Sequence, residues 1–198
     1  MLSDNRAPII EGAVMLDRVI GEIQQGLITG VPWLDVAFGR AQRLVKTSPG
    51  GRRYTLPNVY AGGWNGHAPN DYVEVSPDAE IGNFSFFAID DPQTVMPGVG
   101  LKQIRSPFGL VVWFDCRRAF DRANYRNTEQ LKADVLRVLT GRTGFALSSG
   151  HIEVTRIFEQ AVNIYRGFSL DEVDNQFLMH PYGGFRIDGT LDFLEVCV

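Results

Sequence analysis

A catalytic cysteine needs a base within hydrogen-bond reach to hold it as the thiolate. Cys116 has only His151 and His180 to draw on, each isolated in the chain. It falls in the apolar run Phe108 to Arg117 and alternates with Val112 and Phe114, the setting of a core thiol. Cys116 is therefore expected to be buried and unreactive. Ser148 and Ser149 lie in a loop without the GxSxG elbow that presents a nucleophilic serine. His67, His151 and His180 are far apart, and no HExxH, CxxC or HxH spacing brings ligands together for a transition metal. Asp90-Asp91 is the best pair for a hard cation, yet Asp-Asp-Pro after a strand is also an ordinary turn. Pro77-Asp78 precedes a strand with no ExK or DxK partner, and Glu129 and Lys132 stand three apart on a helix, so a nuclease pattern is not met. No GxGxxG or Walker sequence occurs, and Gly62-Gly63, Gly98/Gly100 and Gly183-Gly184 read as turns. No catalytic, metal or cofactor residue is nominated.

The elements that would position these residues follow from period. Met15, Leu16, Val19, Ile20, Ile23 and Leu27 recur at helical spacing over 13–28, with Asp17, Arg18, Glu22 and Gln24 facing away. Gly30 and Pro32 stop this helix, and Trp33 to Phe38 reads as a further helical turn. Ala41 to Thr47 and Arg52 to Tyr60 flank Ser-Pro-Gly-Gly as a hairpin, 41–60, that projects into solvent behind Lys46, Arg52 and Arg53. Pro57 marks its second arm as an edge strand. Residues 61–71 read as a loop, 72–75 and 83–89 as strands, and 90–107 as a long Gly/Pro-punctuated connection. Phe108 to Arg117 reads as the central strand.

Asn127 or Thr128 caps a second helix that ends at Gly141, with Leu131, Val135, Leu136, Val138 and Leu139 as its buried stripe. His151 to Phe158 is a strand, and Ser169 with Glu172 forms a capping box for a short helix ending near Met179. In the last strand, Phe185, Ile187, Gly189, Leu191 and Phe193 alternate with Arg186, Asp188, Thr190 and Asp192, one face buried and one wet. The expected fold is one α+β domain: a mainly antiparallel sheet with a helix across one face, an N-terminal helix, a projecting hairpin at 41–60 and a sheet-and-helix core over 72–198.

Bulk properties narrow the function. The 198 residues carry 19 basic and 23 acidic side chains, a net charge of −4. That argues against a protein that grips nucleic acid, which needs a clustered basic excess, but not against one that DNA slides past. Two cysteines make no disulfide framework and point to a reducing, cytosolic setting. The first ten residues lack a signal-peptide core, and no run approaches the ~18 apolar residues that span a bilayer. The pairs Arg52-Arg53 and Arg117-Arg118 read as solvated ends or interface salt-bridge donors. Phe168 to Tyr182, dense in aromatics, Met and acids, reads equally as a packed helix and as a subunit contact.

From Trp33 onward the sequence resembles small bacteriophage and prophage proteins of the virion neck and tail. The resembling stretches are WLDVAFGRAQRL (33–44), YVEVSPDAEIGNFSFFAIDDPQ (72–93), NTEQLKADVLRVL (127–139) and YRGFSLDEVDNQFLMHPYGGFRIDGTLDF (165–193). The order of elements is also similar to tail-terminator and head–tail joining proteins, although this chain is longer and its 61–71 and 90–107 segments have no counterpart there. The resemblance implies a homo-oligomeric ring of six copies, or twelve, in the virion, contacting neighbouring neck and tail proteins, with DNA passing through and no membrane partner. Assembly would take place in the host cytoplasm. Lys46, Arg52, Arg53, Tyr54, Phe168, Phe177, Met179 and Tyr182 are the expected interface residues, and Asp71, Glu74, Asp78 and Glu80 the expected lumen. The hairpin and the 90–107 connection are expected outside the core, against neighbouring subunits. The competing readings are a metal-dependent hydrolase using Asp90 and Asp91, and a monomeric module binding a ligand in the aromatic loop around Trp64.

Overall fold

Strand β7, Gln103–Asp115, runs through the middle of a sheet ordered β1-β5-β7-β9-β8, with the short β6 also on β7. Its partners are β5 (Phe84–Ala88), β6 (Thr94–Met96) and β9 (Tyr182–Leu194), all antiparallel. β8 (Gly150–Phe158) closes one edge on β9, and β1 (Val36–Arg40) closes the other by pairing parallel with β5. A second sheet holds β2 (Gln42–Thr47), β3 (Arg53–Tyr60) and β4 (Tyr72–Glu74) in that order. Among the described residues the α-helices are α1 (Met15–Gly30), α2 (Cys116–Ala119), α3 (Thr128–Leu139) and α4 (Ala161–Ile164). The computed structural model describes residues 5–77, 80–97, 102–120, 127–141, 146–148, 150–169 and 178–194. The fold is α+β, mainly antiparallel, with the N-terminal helix and the hairpin in place. Among the described residues no helix is long and apolar enough to cross a membrane.

Both faces of the large sheet are covered, because the pleat sends alternate residues of each strand to opposite sides. Phe185, Ile187, Leu191 and Phe193 of β9 join Leu110, Val112 and Phe114 of β7 under α1 and α3. The opposite face buries Phe84 and Phe86 of β5 with Val111 and Trp113 of β7. These meet Val59 and Trp64 from the small-sheet side, and Ile164 and Tyr165 around α4. A fully buried aliphatic or aromatic side chain contributes about 1.5–3 kcal/mol, so the two clusters supply the main driving force. Asn127 caps α3 by accepting from the Gln130 amide, and Gly141 follows at positive φ as the expected stop.

Several expectations change. Trp33 to Phe38 is not a helical turn: Val36 to Arg40 is strand β1. Val36 and Phe38 enter one cluster and Ala37 the other, so a strand buried on both sides shows no alternation to read. Gln24 does not face away. It is 2% exposed and donates to the carbonyls of Pro8 (3.0 Å) and Ala37 (2.8 Å), which tie it into the core. Part of the 90–107 connection is sheet, since β6 and the start of β7 lie within it and Ile104 and Ser106 are buried. Pro107 falls in the gap between the β6 and β5 pairings, so its missing N–H breaks neither. β3 is central in its sheet rather than an edge. Pro57 is tolerated because it lies just beyond the last β3–β4 pair, where its carbonyl accepts from the Val75 amide and no N–H is needed to continue the ladder. Gly183 and Gly184 are within β9, where Cβ atoms would strike the Phe114 ring and crowd the Val112 carbonyl. The proposed helix after Ser169 lies outside the described residues.

Candidate functional site: an ion cluster between the sheets

The alternation that buries Phe84, Phe86 and Ala88 continues to Asp90, just past the end of β5 and on the side of the small sheet. On β9, Arg186 shares that side with Asp188 and Thr190. Instead of facing water, Arg186 is 1% exposed. Its Nη2 donates to Asp90 at 2.6 Å and its Nε to Asp188 at 2.5 Å. The guanidinium reaches Asp90 by crossing β7 at Gly109, the residue paired with Asp188. Arg166, after α4, bridges the same carboxylates at 3.6 Å and 3.2 Å. Arg43 reaches Asp90 from β2 at 3.0 Å. Gly167, at φ +88, packs against the Arg43–Asp90 pair. A buried cation between two anions is favourable only because each partner is also hydrogen-bonded and oriented. The cluster therefore clamps the hairpin sheet and α4 onto the large sheet.

A cleft of about 290 Å³ opens beside the cluster, lined by Asp91, Thr155, Arg156, Arg166 and Thr190 together with Arg186. A bulge in β8 between Val154 and Arg156 borders it, where Thr155 Oγ1 donates to the Asp188 carbonyl at 3.0 Å. Arg186 Nη1 and Thr190 Oγ1 are buried and have no hydrogen-bond partner among the described residues. The alternating sequence of β9 placed Arg186 on a wet face, and nothing in it marks which polar residue a second layer will cover.

The expected chemical residues are dispersed. Asp90 is surrounded by three guanidinium groups, surroundings that oppose a cation. Among the described residues no group of three or more His, Cys, Asp or Glu comes together to hold a metal ion. Ser148 is tied to α1 by two 2.7 Å hydrogen bonds to Glu22, and Ser149 lies outside the described residues. Cys116 opens α2 rather than sitting in the strand. It is 2% exposed in the helix-side core, and its amide donates to the Pro181 carbonyl. Lys132 pairs with both Glu129 (2.6 Å) and Glu159 (2.7 Å), which ties α3 to the segment after β8. Trp64 is buried, edge-on to Phe38 and stacked on His67, whose Nδ1 lies 3.4 Å from Asp71.

The expected interface set divides. Lys46, Arg52, Arg53 and Met179 are exposed, and Tyr54 is half-buried. Phe168 packs edge-on against Phe86 at 5.8 Å. Tyr182 stacks on Trp113 at 5.6 Å and accepts from Arg117 at 3.0 Å, so both of these aromatics belong to the subunit's own packing. Arg117 is held by Asp115 and Arg118 by Asp35, which makes that pair intramolecular. Phe177 and Asp78 lie outside the described residues. Of the expected lumen residues, Glu80 is exposed and Asp71 half-buried. Glu74 forms an ion pair with Lys46 that raises the lysine above its ordinary value, so one residue of each set meets within a single subunit. No protein-family model and no curated protein sequence matches this chain.

Proposed function

We propose that this chain is a bacteriophage virion structural protein of the neck or tail, a tail terminator or head–tail connector. It assembles as a homo-oligomeric ring through which DNA passes, and it meets neighbouring neck and tail proteins in the virion. The observation that carries the reading is the charge of the hairpin. Residues 41–60 hold Arg43, Lys46, Arg52 and Arg53 and no acid, so with a net charge of −4 the rest of the chain sums to −8. A basic arm on an acidic body is complementary between copies. That is the head-to-tail arrangement a ring requires. Arg43 and Lys46 are engaged by Asp90 and Glu74 within the subunit, while Arg52 and Arg53 stand exposed at the tip of the hairpin, within reach of a neighbour. The sequence resemblance to neck and tail proteins and the observed order of helix, hairpin, sheet and crossing helix support the same reading.

Light scattering on the purified protein tests it. A mass of six or twelve subunits is expected at moderate salt, and a shift toward monomer in the variant combining Arg52→Glu with Arg53→Glu. A monomer at every concentration and salt would defeat the proposal.

A further inference from the structure

We propose that the cleft beside Arg186 binds a small oxyanion, a carboxylate or phosphate group, with Arg186 Nη1 and Thr190 Oγ1 as its buried donors and Arg156 and Arg166 at its rim. Arg186 is 1% exposed, yet its Nη1 has no partner among the described residues. A guanidinium nitrogen can only donate, so what satisfies it must be an acceptor. A buried donor left unsatisfied carries a desolvation cost that native structures rarely retain. Thr190 Oγ1, further along the same face of β9, is also buried without a partner.

The charge of the surroundings selects an anion over a neutral acceptor. Arg156, Arg166 and Arg186 line the cleft with Asp90, Asp91 and Asp188, and Arg43 reaches Asp90 from outside it. The assembly therefore holds one positive charge in excess on a chain whose net charge is −4. Arg156 is exposed and has no ion-pair partner among the described residues. At about 290 Å³ the cleft lies at the lower end of ligand-site volumes, a size suited to a small charged group rather than a large apolar one.

The test is a titration of the intact protein with sodium phosphate and, separately, with sodium acetate, ionic strength being held constant with sodium chloride. The arginine side-chain ¹H–¹⁵N signals report binding. A saturable shift of the Arg186 signal is expected with at least one anion. Affinity should fall about tenfold in Thr190→Val and in Arg166→Gln, each of which removes one donor to a charged group. Preference for phosphate identifies a phosphate-bearing ligand; preference for acetate identifies a carboxylate, such as an acidic side chain of another protein. Thr190→Val preserves shape and leaves the ion cluster intact, so the test does not depend on an Arg186 variant folding. No saturable shift with either anion, or binding in both variants as strong as in the wild-type protein, overturns the proposal.

Discussion

The guanidinium of Arg186 occupies the space where a side chain on Gly109 would lie: a Cβ there would overlap its Nη2, Cζ and Nε. A missing side chain on β7 is thus what lets an arginine on β9 reach an aspartate beyond β5. Gly109→Ala should displace the buried guanidinium from Asp90 and destabilise the fold by about 3 kcal/mol, the scale of breaking a buried ion pair. Urea unfolding measures it: the midpoint falls and the slope stays constant. An unchanged midpoint would show that the guanidinium does not cross β7.

Asp90→Asn should cost a similar amount, because Arg43, Arg166 and Arg186 all lose a charged partner. Combined with Gly109→Ala, the two losses should sum to clearly less than their separate values, since both substitutions break the Arg186–Asp90 contact. Full additivity would place the residues in independent environments.

Acid should weaken the fold through Asp192 and Asp115. Arg105, bidentate on Asp192 at 2.7 Å for both bonds, holds that carboxyl below its ordinary value against the opposing effect of burial. Burial pushes Asp115 up, but its hydrogen bonds with Arg117 outweigh this and leave it lowered as well. A carboxylate depressed in the folded state binds fewer protons there than in the unfolded chain. Its contribution is therefore complete above the ordinary value of about 4 and is lost as pH falls through the folded value. Urea midpoints from pH 7 to pH 3 should hold level and then drop, and Arg105→Gln should lower the plateau and shrink the drop. An identical drop in the variant would remove Asp192 from the account.

Cys116 should resist a thiol reagent in the native protein. In a Cys197→Ser background, which isolates the Cys116 signal, labelling should proceed only as fast as the fold opens and should accelerate with denaturant. Rapid native labelling would contradict its place in the helix-side core.

Duplex DNA should bind weakly. A ring that DNA traverses needs an acidic or mixed wall, because a continuous basic one would hold phosphates through many contacts. Asp71, Glu74 and Glu80 are the described acidic candidates for that wall. Tight binding that falls steeply with salt would defeat the passive channel.

The sequence by itself determined the elements whose periodicity has a polar counterpart. α1 and α3 each show an apolar stripe against solvated residues, and Asn127 and Gly141 bound α3 through local backbone chemistry. The hairpin follows from its Ser-Pro-Gly-Gly turn, and β9 from strict alternation. It was silent where burial is two-sided. Val36 to Arg40 carries no alternation, so its identity as a strand depends on β5 lying alongside it. Only the tertiary structure decided the fate of polar residues under a second layer. Gln24 and Arg186 look solvated in their own segments, because local spacing shows which face a residue takes and not what covers that face. The packing of Phe168 on Phe86 and of Tyr182 on Trp113 was equally invisible, because these partners are distant in the chain. The Arg186–Asp90 cluster draws on β2, β5, β9 and the segment after α4. No local pattern encodes it, since its stability comes from charges that the fold brings within 3 Å or so of one another only after the two sheets have closed.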